Sequence, residues 1–496
     1  MGTPTAVHGA DSDRRHGRPD TALAVWATAG LVGSLVMVLT GTRIGSIPRP
    51  GADAASWWFS VPTGGTTVAM VTFYLGMALV VVAWLGVGRH ALAGRLTARW
   101  SWLLLGLWGL PLLLGPPLFS RDVYSYIAQG VIAHRGLDPY SVGPAVLGPG
   151  PLLSSVAEVW RHTSSPYGPL FVGATRMLAV MTGTSVIAGV LVFRSLELVG
   201  VALTMCFLPR LARHLGTDAG VAVWLGVLSP LALFSFLSSG HNDALMVGLL
   251  VAGVSLAVEG RLLAGLAVCA VAATVKLPAA GAVVFLVVNH VRSGRGAARW
   301  REVVAPVVVA SAVFVGISLA CGYGFSWLGP SALHVPTELR IRSTPSVAVG
   351  DLVYHLLHLL QVPALQSSVV TVTQTVFALA AVLGCVWLLL TVHRHEVVRS
   401  LGLALLLFVV ASPTVWPWYL LWGLVLLAAT TAQRSKVLAA VAALAMLAVG
   451  AGGVPEISGD GYLVVALATL GAVAWTVRHG HWRTVVTGHT GGAGAG

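Results

Sequence analysis

Asp122 is the residue of this chain best suited to act as a base. It follows an apolar run, sits beside Arg121, and precedes Tyr124 and Tyr126. A carboxylate held where an apolar segment meets water gains a raised pKa from partial burial, and it can take a proton from a hydroxyl group. Two structural roles compete: an ion pair with Arg121, or the cap of a helix starting at Val123. His241, Asn242 and Asp243 put three polar groups at the end of an apolar helix, where they are costly unless bonded or used. They suit sugar hydroxyls, the positioning of a substrate at Asp122, or the cap of a helix starting at Ala244. A metal role for His241 and Asp243 has no diagnostic spacing behind it. Lys276 stands two residues before Pro278 in another apolar run. A cation in a helix break needs an anion, either a substrate phosphate or a structural carboxylate, unless its head snorkels to the surface. Arg121, Arg176, Arg340 and Arg342 carry the planar fork that suits phosphate oxygens, the last two in a polar loop. Asp138 and Tyr140 flank Pro139 in a turn. Tyr140, Tyr167, Trp416, Trp418 and Tyr419 offer aromatic and hydroxyl surface, although a membrane belt also explains them. Arg194 and Glu197 lie three apart on one helix face and are expected to pair.

The elements that must position these residues are membrane helices. The chain has 496 residues, of which 56% are hydrophobic and only 9% are charged. A soluble domain carries roughly 25% charged residues. Mean hydropathy is +0.85, and apolar runs recur along the chain, so the expected class is an all-α polytopic membrane protein. The continuous apolar runs exclude an outer-membrane barrel, whose strands alternate. Net charge is +12. The arginines cluster in short loops between apolar runs, which is the positive-inside signal and not a nucleic-acid footprint. The four cysteines, Cys206, Cys269, Cys321 and Cys385, have no metal-ligand spacing and read as small apolar fillers.

Taken in order, residues 1–20 are a polar cytoplasmic arm and residues 21–480 a single membrane domain. Residues 484–496 are a flexible Gly-rich tail. Alternating the basic loops inside gives roughly 14 crossings with both termini inside. Asp122, Asp138, Glu158, Asp243 and Glu338 then fall outside, and residues 119–169 form a long external loop carrying helices. Two places resist simple counting. The stretch 170–208 is too long for one pass, so a re-entrant helix plus one crossing is expected. The stretch 262–289 offers roughly 28 residues where two passes want about 40, so two short helices should meet at a break near Lys276. No internal repeat is visible.

The segments 121-RDVYSYIAQG-130, 137-LDPY-140, 166-PYGPL-170, 240-GHNDALMVGL-249, 276-KLP-278 and 413-PTVWPWY-419, in this order, resemble the actinobacterial polyprenol-phosphomannose-dependent α-1,6-mannosyltransferases of the GT-C superfamily. The resemblance covers residues 20–480. It implies an inverting transfer of mannose from a polyprenyl-phosphate-β-mannose donor to a mannan or lipomannan acceptor. It places the protein in the plasma membrane as a multi-pass enzyme, with its site on the extracytoplasmic side. By the same resemblance Asp122 matches the acid of the first large external loop, the general base. Arg121, Tyr124, Tyr126, Asp138, Tyr140, Tyr167, His241, Asn242, Asp243, Lys276, Arg340, Arg342, Trp416 and Tyr419 become candidates for substrate contact. The leaving polyprenyl phosphate departs ionised, so no second carboxyl is needed, unlike in a hydrolase. No cofactor is implied; a divalent cation is compatible with the chemistry but not required by it. No Gly-rich nucleotide loop is present, which fits a lipid-linked donor. Two other readings remain open from residues alone: a transferase of another lipid-linked sugar such as arabinofuranose, and a secondary transporter with broken helices and intramembrane charges.

Overall fold

The computed structural model describes residues 21–44, 66–293, 300–329, 344–363, 365–394, 396–430 and 437. The arm 1–20, Asp53, Arg340, Arg342, the spans expected at 440–450 and 463–477, and the tail lie outside the described residues. Among the described residues every regular element is helical and no strand occurs. The helices are α1 (Thr21–Ile44), α2 (Thr66–Leu92), α3 (Ala98–Leu114), α4 (Asp122–His134), α5 (Pro151–Ser155), α6 (Glu158–Arg161), α7 (Pro169–Thr182), α8 (Val186–His214) and α9 (Ala219–Gly226). After a short α-to-π segment come α11 (Asp243–Val258), α12 (Leu262–Val275), α13 (Ala280–Ser293) and α14 (Trp300–Ala320); the segment between, Pro230–Ser238, is α10. The last four are α15 (Pro345–Leu359), α16 (Gln366–Leu390), α17 (Val397–Ala411) and α18 (Leu421–Ala428).

Among the described residues, five helices are long and apolar enough to cross a membrane: Thr21–Gly41, Thr67–Leu92, Val186–His214, Val303–Ala320 and Gln366–Leu390. A sixth is added if α9 and α10, bent by 48° at their junction, count as one broken span. Outward faces fit lipid contact. On α16, Val372, Val376, Leu379 and Leu383 form one exposed stripe at helical spacing. Burial is concentrated instead around α2, α4, α8, α11 and α12.

The breaks expected from the sequence are present as changes of helix. Residues 169–214 divide into the short α7 and the long α8 at Gly183. Residues 262–293 divide into α12 and α13 at Lys276, whose backbone is extended, followed by a 3-10 turn at Leu277–Ala279. Pro278 has no N–H to continue a helix, so the chain turns there.

Close backbone contact sets the central crossing. Gly200 on α8 lies against the carbonyl of Ala244 on α11, and Gly248 lies against Gly200 itself. A side chain at either position would meet the partner's backbone, which is why glycine lets the two helices approach so closely. Further out, Trp84 and Trp224 stack with centroids 4.9 Å apart. Each indole N–H donates to the other's backbone carbonyl, at 2.9 and 2.8 Å, so both rings are buried without a stranded donor.

Arg194 corrects the sequence-based expectation. It forms no ion pair with Glu197 among the described residues; its guanidinium donates to the carbonyls of Leu113, Gly115 (2.6 Å) and Ser238 (2.5 Å). Those carbonyls end α3 and α10, where helix termini leave acceptors without intrahelical partners. The three fixed carbonyls engage both terminal nitrogens of the guanidinium, which turns its donors away from Glu197.

Replacing Gly200 by Val should force α8 and α11 apart and destabilise the fold by about 1–3 kcal/mol through overpacking. Thermal unfolding of the detergent-purified protein should show a lowered midpoint. An unchanged midpoint would contradict the close crossing.

Candidate active site

Asp122 opens α4 after a turn of unusual backbone. Phe119 adopts φ +68°, a left-handed conformation that bulky residues rarely take. Its ring is held by stacking on Phe234 at 5.2 Å and packing against Phe73 at 5.7 Å. The adjacent Leu118 carbonyl accepts from Ser239 Oγ at 2.6 Å. Gly240 also takes positive φ (69°), which lets the chain fold back and set His241 beside α4. Two left-handed turns, at Phe119 and Gly240, joined by the Ser239–Leu118 bond, thus bring the first acid and the His-Asn-Asp set together.

Neither capping alternative survives. The N-cap of α4 is Arg121, without a side-chain cap bond, and Asp122 is already helical. Its N–H is received by Ser120 Oγ at 3.1 Å. Its carboxylate turns inward: Oδ1 accepts from the Trp160 indole N–H at 2.9 Å, and Oδ2 stands 3.5 Å from His241 Nδ1. Nor does Arg121 pair with it; its donors go to the Ser155 and Ser154 carbonyls, both at 2.9 Å. Burial holds the Asp122 carboxyl up, to about 6, against the lowering pull of Trp160 and Lys276, while Asp243 adds to the rise.

Asp243 likewise spends its side chain elsewhere than on a cap. Lys276 Nζ donates to its two oxygens at 2.9 and 3.0 Å, and Trp422 Nε1 donates to Oδ1 as well. The helix break puts Lys276 there. Rings surround the ammonium, with Tyr419 at 4.4 Å, Trp422 at 5.2 Å and Tyr167 at 5.8 Å from Nζ to centroid. The end of the long loop seals the break: Gly168 N–H donates to the Val275 carbonyl at 2.9 Å, and a Cβ on Gly168 would meet the Thr274 carbonyl. Of the anions open to Lys276 from sequence, the structure supplies a carboxylate; two of its three donors are engaged by Asp243.

The polar face of α4 continues at helical spacing through Ser125, Tyr126 and Gln129, all buried. Tyr126 OH donates to Asn242 Oδ1 at a long 3.5 Å, and its ring meets Tyr167 edge-on at 5.1 Å. His241 stacks on Trp418 at 3.7 Å, and Trp418 on Trp416 at 4.9 Å. Both ring nitrogens of His241, Asn242 Nδ2 and Ser125 Oγ are buried without a hydrogen-bond partner among the described residues. Buried polar atoms are nearly always satisfied, so these atoms, on the two segments that carry Asp122 and Asp243, are exceptions among the described residues.

Asp122, Tyr126, Tyr167, His241, Asn242, Asp243, Lys276, Trp416 and Tyr419 therefore lie in one connected set of contacts. Others stand apart. Asp138 stays within its turn, accepting from the Tyr140 N–H at 2.9 Å and Ser141 Oγ at 2.8 Å. Tyr140 packs on Tyr323 at 5.3 Å. Tyr124 is buried in the field of Arg194 and Arg121. Trp160 and Trp422 were not among the sequence candidates. Tryptophans near membrane ends read as belt anchors, and only the 38- and 179-residue separations bridged by their N–H groups reveal the difference. Among the described residues, no group of three or more His, Cys, Asp or Glu side chains converges as metal ligands do.

The sequence family described as "Alpha-(1->6)-mannopyranosyltransferase, N-terminal domain" matches residues 27–292, and that described as "MptB C-terminal domain" matches residues 346–480. The chain is similar to Alpha-(1->6)-mannopyranosyltransferase A of Mycobacterium tuberculosis, at 33% identity over 84% of this chain and 82% of that protein. Against Alpha-(1->6)-mannopyranosyltransferase A of Corynebacterium glutamicum the identity is 29%, covering 71% of this chain and 77% of the relative. For Alpha-(1->6)-mannopyranosyltransferase B of the same organism the figures are 28%, 80% and 72%. No solved structure matches significantly.

Substituting Lys276 by Met should destabilise the protein by about 3–5 kcal/mol, because Asp243 is left buried and uncompensated. Adding Asp243→Asn should restore part of that loss. Thermal unfolding of the two single variants and the double variant measures the coupling; strict additivity would mean the pair is not a unit.

Proposed function

The chain belongs to the alpha-(1->6)-mannopyranosyltransferase family, and from that premise we propose that it moves mannose from polyprenyl-phosphate-β-mannose to the 6-hydroxyl of a mannan or lipomannan acceptor, with inversion. Membership makes the chain a hexosyltransferase, which sets the transporter reading aside. In the proposed arrangement the fold is of GT-C type with roughly 14 crossings, and the site opens at the outer face of the plasma membrane.

The carrying observation is the inward-facing Asp122 carboxylate beside the unpartnered polar atoms of His241, Asn242 and Ser125. A hydroxyl-rich ring entering that cluster gives each orphan a partner. Asp122 takes the proton of the acceptor 6-hydroxyl as that oxygen bonds to the anomeric carbon. The bond from the anomeric carbon to the phosphate oxygen breaks, and polyprenyl phosphate leaves with the electron pair. In this reading the phosphate lies near Lys276, meeting the one ammonium donor left after its two bonds to Asp243. A carboxyl held near 6 suits this work: ionised at neutral pH, it is a stronger base than an exposed aspartate.

The test is a membrane assay with labelled polyprenyl-phosphate-mannose and a short α-1,6-mannoside, at matched protein levels. Asp122→Asn should lose about 10²–10⁴ in kcat while still binding donor; full activity would end the general-base assignment.

The wild-type rate should be level above the Asp122 pKa and fall as pH drops through about 6, because protonation removes the base. An acid limb at the position of an ordinary exposed aspartate would argue that another group takes the proton.

A further inference from the structure

We propose that Trp160 is a positioning residue for Asp122: its indole N–H fixes one carboxylate oxygen, so that the other is presented to the acceptor hydroxyl. This rests on the general-base reading above.

The geometry is specific. Trp160 is buried on α6, a helix of one turn, and donates to Asp122 Oδ1 at 2.9 Å. The indole is a donor only, so at this site it can do nothing but hold an acceptor. A ring recruited merely to fill space needs no N–H.

The segment bearing Trp160 is tied to α4 from both ends. On the entry side, Arg121 donates to the Ser155 and Ser154 carbonyls at the end of α5. The residue next to the acid in sequence therefore anchors the strap that holds the acid. Arg161 folds back to the Val156 carbonyl at 3.3 Å, which closes the short turn around Trp160. On the exit side, Ser165 Oγ donates to Gln129 Oε1 at 2.9 Å, and Ser165 N–H donates to the Pro139 carbonyl at 2.8 Å. Gln129 is two turns along α4 on the Asp122 face. The strap thus spans that face with the indole over its first turn.

The consequence is a division of labour between the two oxygens. Oδ1 is committed to Trp160; Oδ2 faces the His241 ring, in the cluster of unpartnered polar atoms. A hydrogen bond to a carboxylate strengthens as the group ionises. Trp160 therefore favours the proton-accepting form and opposes the effect of burial, besides fixing the rotation of the carboxyl.

The experiment compares wild type, Trp160→Phe and Asp122→Asn in the same transfer assay across pH, with thermal midpoints recorded. In Trp160→Phe the acid limb should move upward by roughly one unit. Its kcat should fall about tenfold and its acceptor KM stay within about twofold, since orientation is lost and binding is not. Should Trp160→Phe fail to fold, benzothienylalanine at position 160 replaces the N–H by sulfur at nearly constant shape and is held to the same outcome. An unmoved acid limb overturns the proposal, whether activity is kept or falls together with the thermal midpoint. If Asp122→Asn is inactive while the limb is unmoved in the Trp160 variant, only the Trp160 proposal fails. If Asp122→Asn is fully active, the general-base reading fails and the proposal with it.

Discussion

One buried guanidinium holds the site region together. Arg194 donates to carbonyls at the ends of two interrupted helices, α3 and α10. Each helix end carries unsatisfied acceptors and a partial negative charge, so a cation there is favourable on both counts. The geometry matters more than the energy. The α3 end leads through Phe119 to Asp122, and the α10 end leads through Gly240 to His241. The same side chain therefore fixes the distance between the two polar segments that meet in the site.

The rest of the site follows from the cost of burying charge. Asp122, Asp243 and Lys276 all lie within the packed interior. Asp243 and Lys276 neutralise one another at hydrogen-bond distance, and aromatic rings pack around the ammonium. Among the described residues Asp122 has no Lys or Arg in contact; it has an indole donor and a facing imidazole. Two aspartates in one cluster thus experience different surroundings. The paired one is bonded to its lysine through both oxygens, and burial displaces the other toward neutrality. That asymmetry is what distinguishes a structural acid from a working base in the proposed reaction.

Several features were legible in the residues. Pro278 after Lys276 announced a break, and the structure breaks there. The excess length of 170–208 announced a division, which falls at Gly183. Asp122 and the His-Asn-Asp set stood out because polar groups beside apolar runs are expensive. The Arg194–Glu197 pairing misled, since local spacing says which groups can touch but not which distant carbonyls are nearer. Arg121 looked like a phosphate ligand and instead anchors the loop over its own neighbour.

Sequence by itself determined what each short stretch could be: where helices run, where proline and glycine stop them, and which polar side chains must find partners. Those properties are local, set by backbone sterics and by the apolar or polar nature of neighbours a few residues away. Tertiary structure alone decided which partner each polar group found. Trp160 reaches Asp122 across 38 residues, Lys276 reaches Asp243 across 33, and Tyr126 reaches Asn242 across 116. Contacts at such separations depend on how whole helices pack and on a left-handed turn at a phenylalanine. No periodicity encodes that turn, because it is stabilised by rings contributed from α2 and α10.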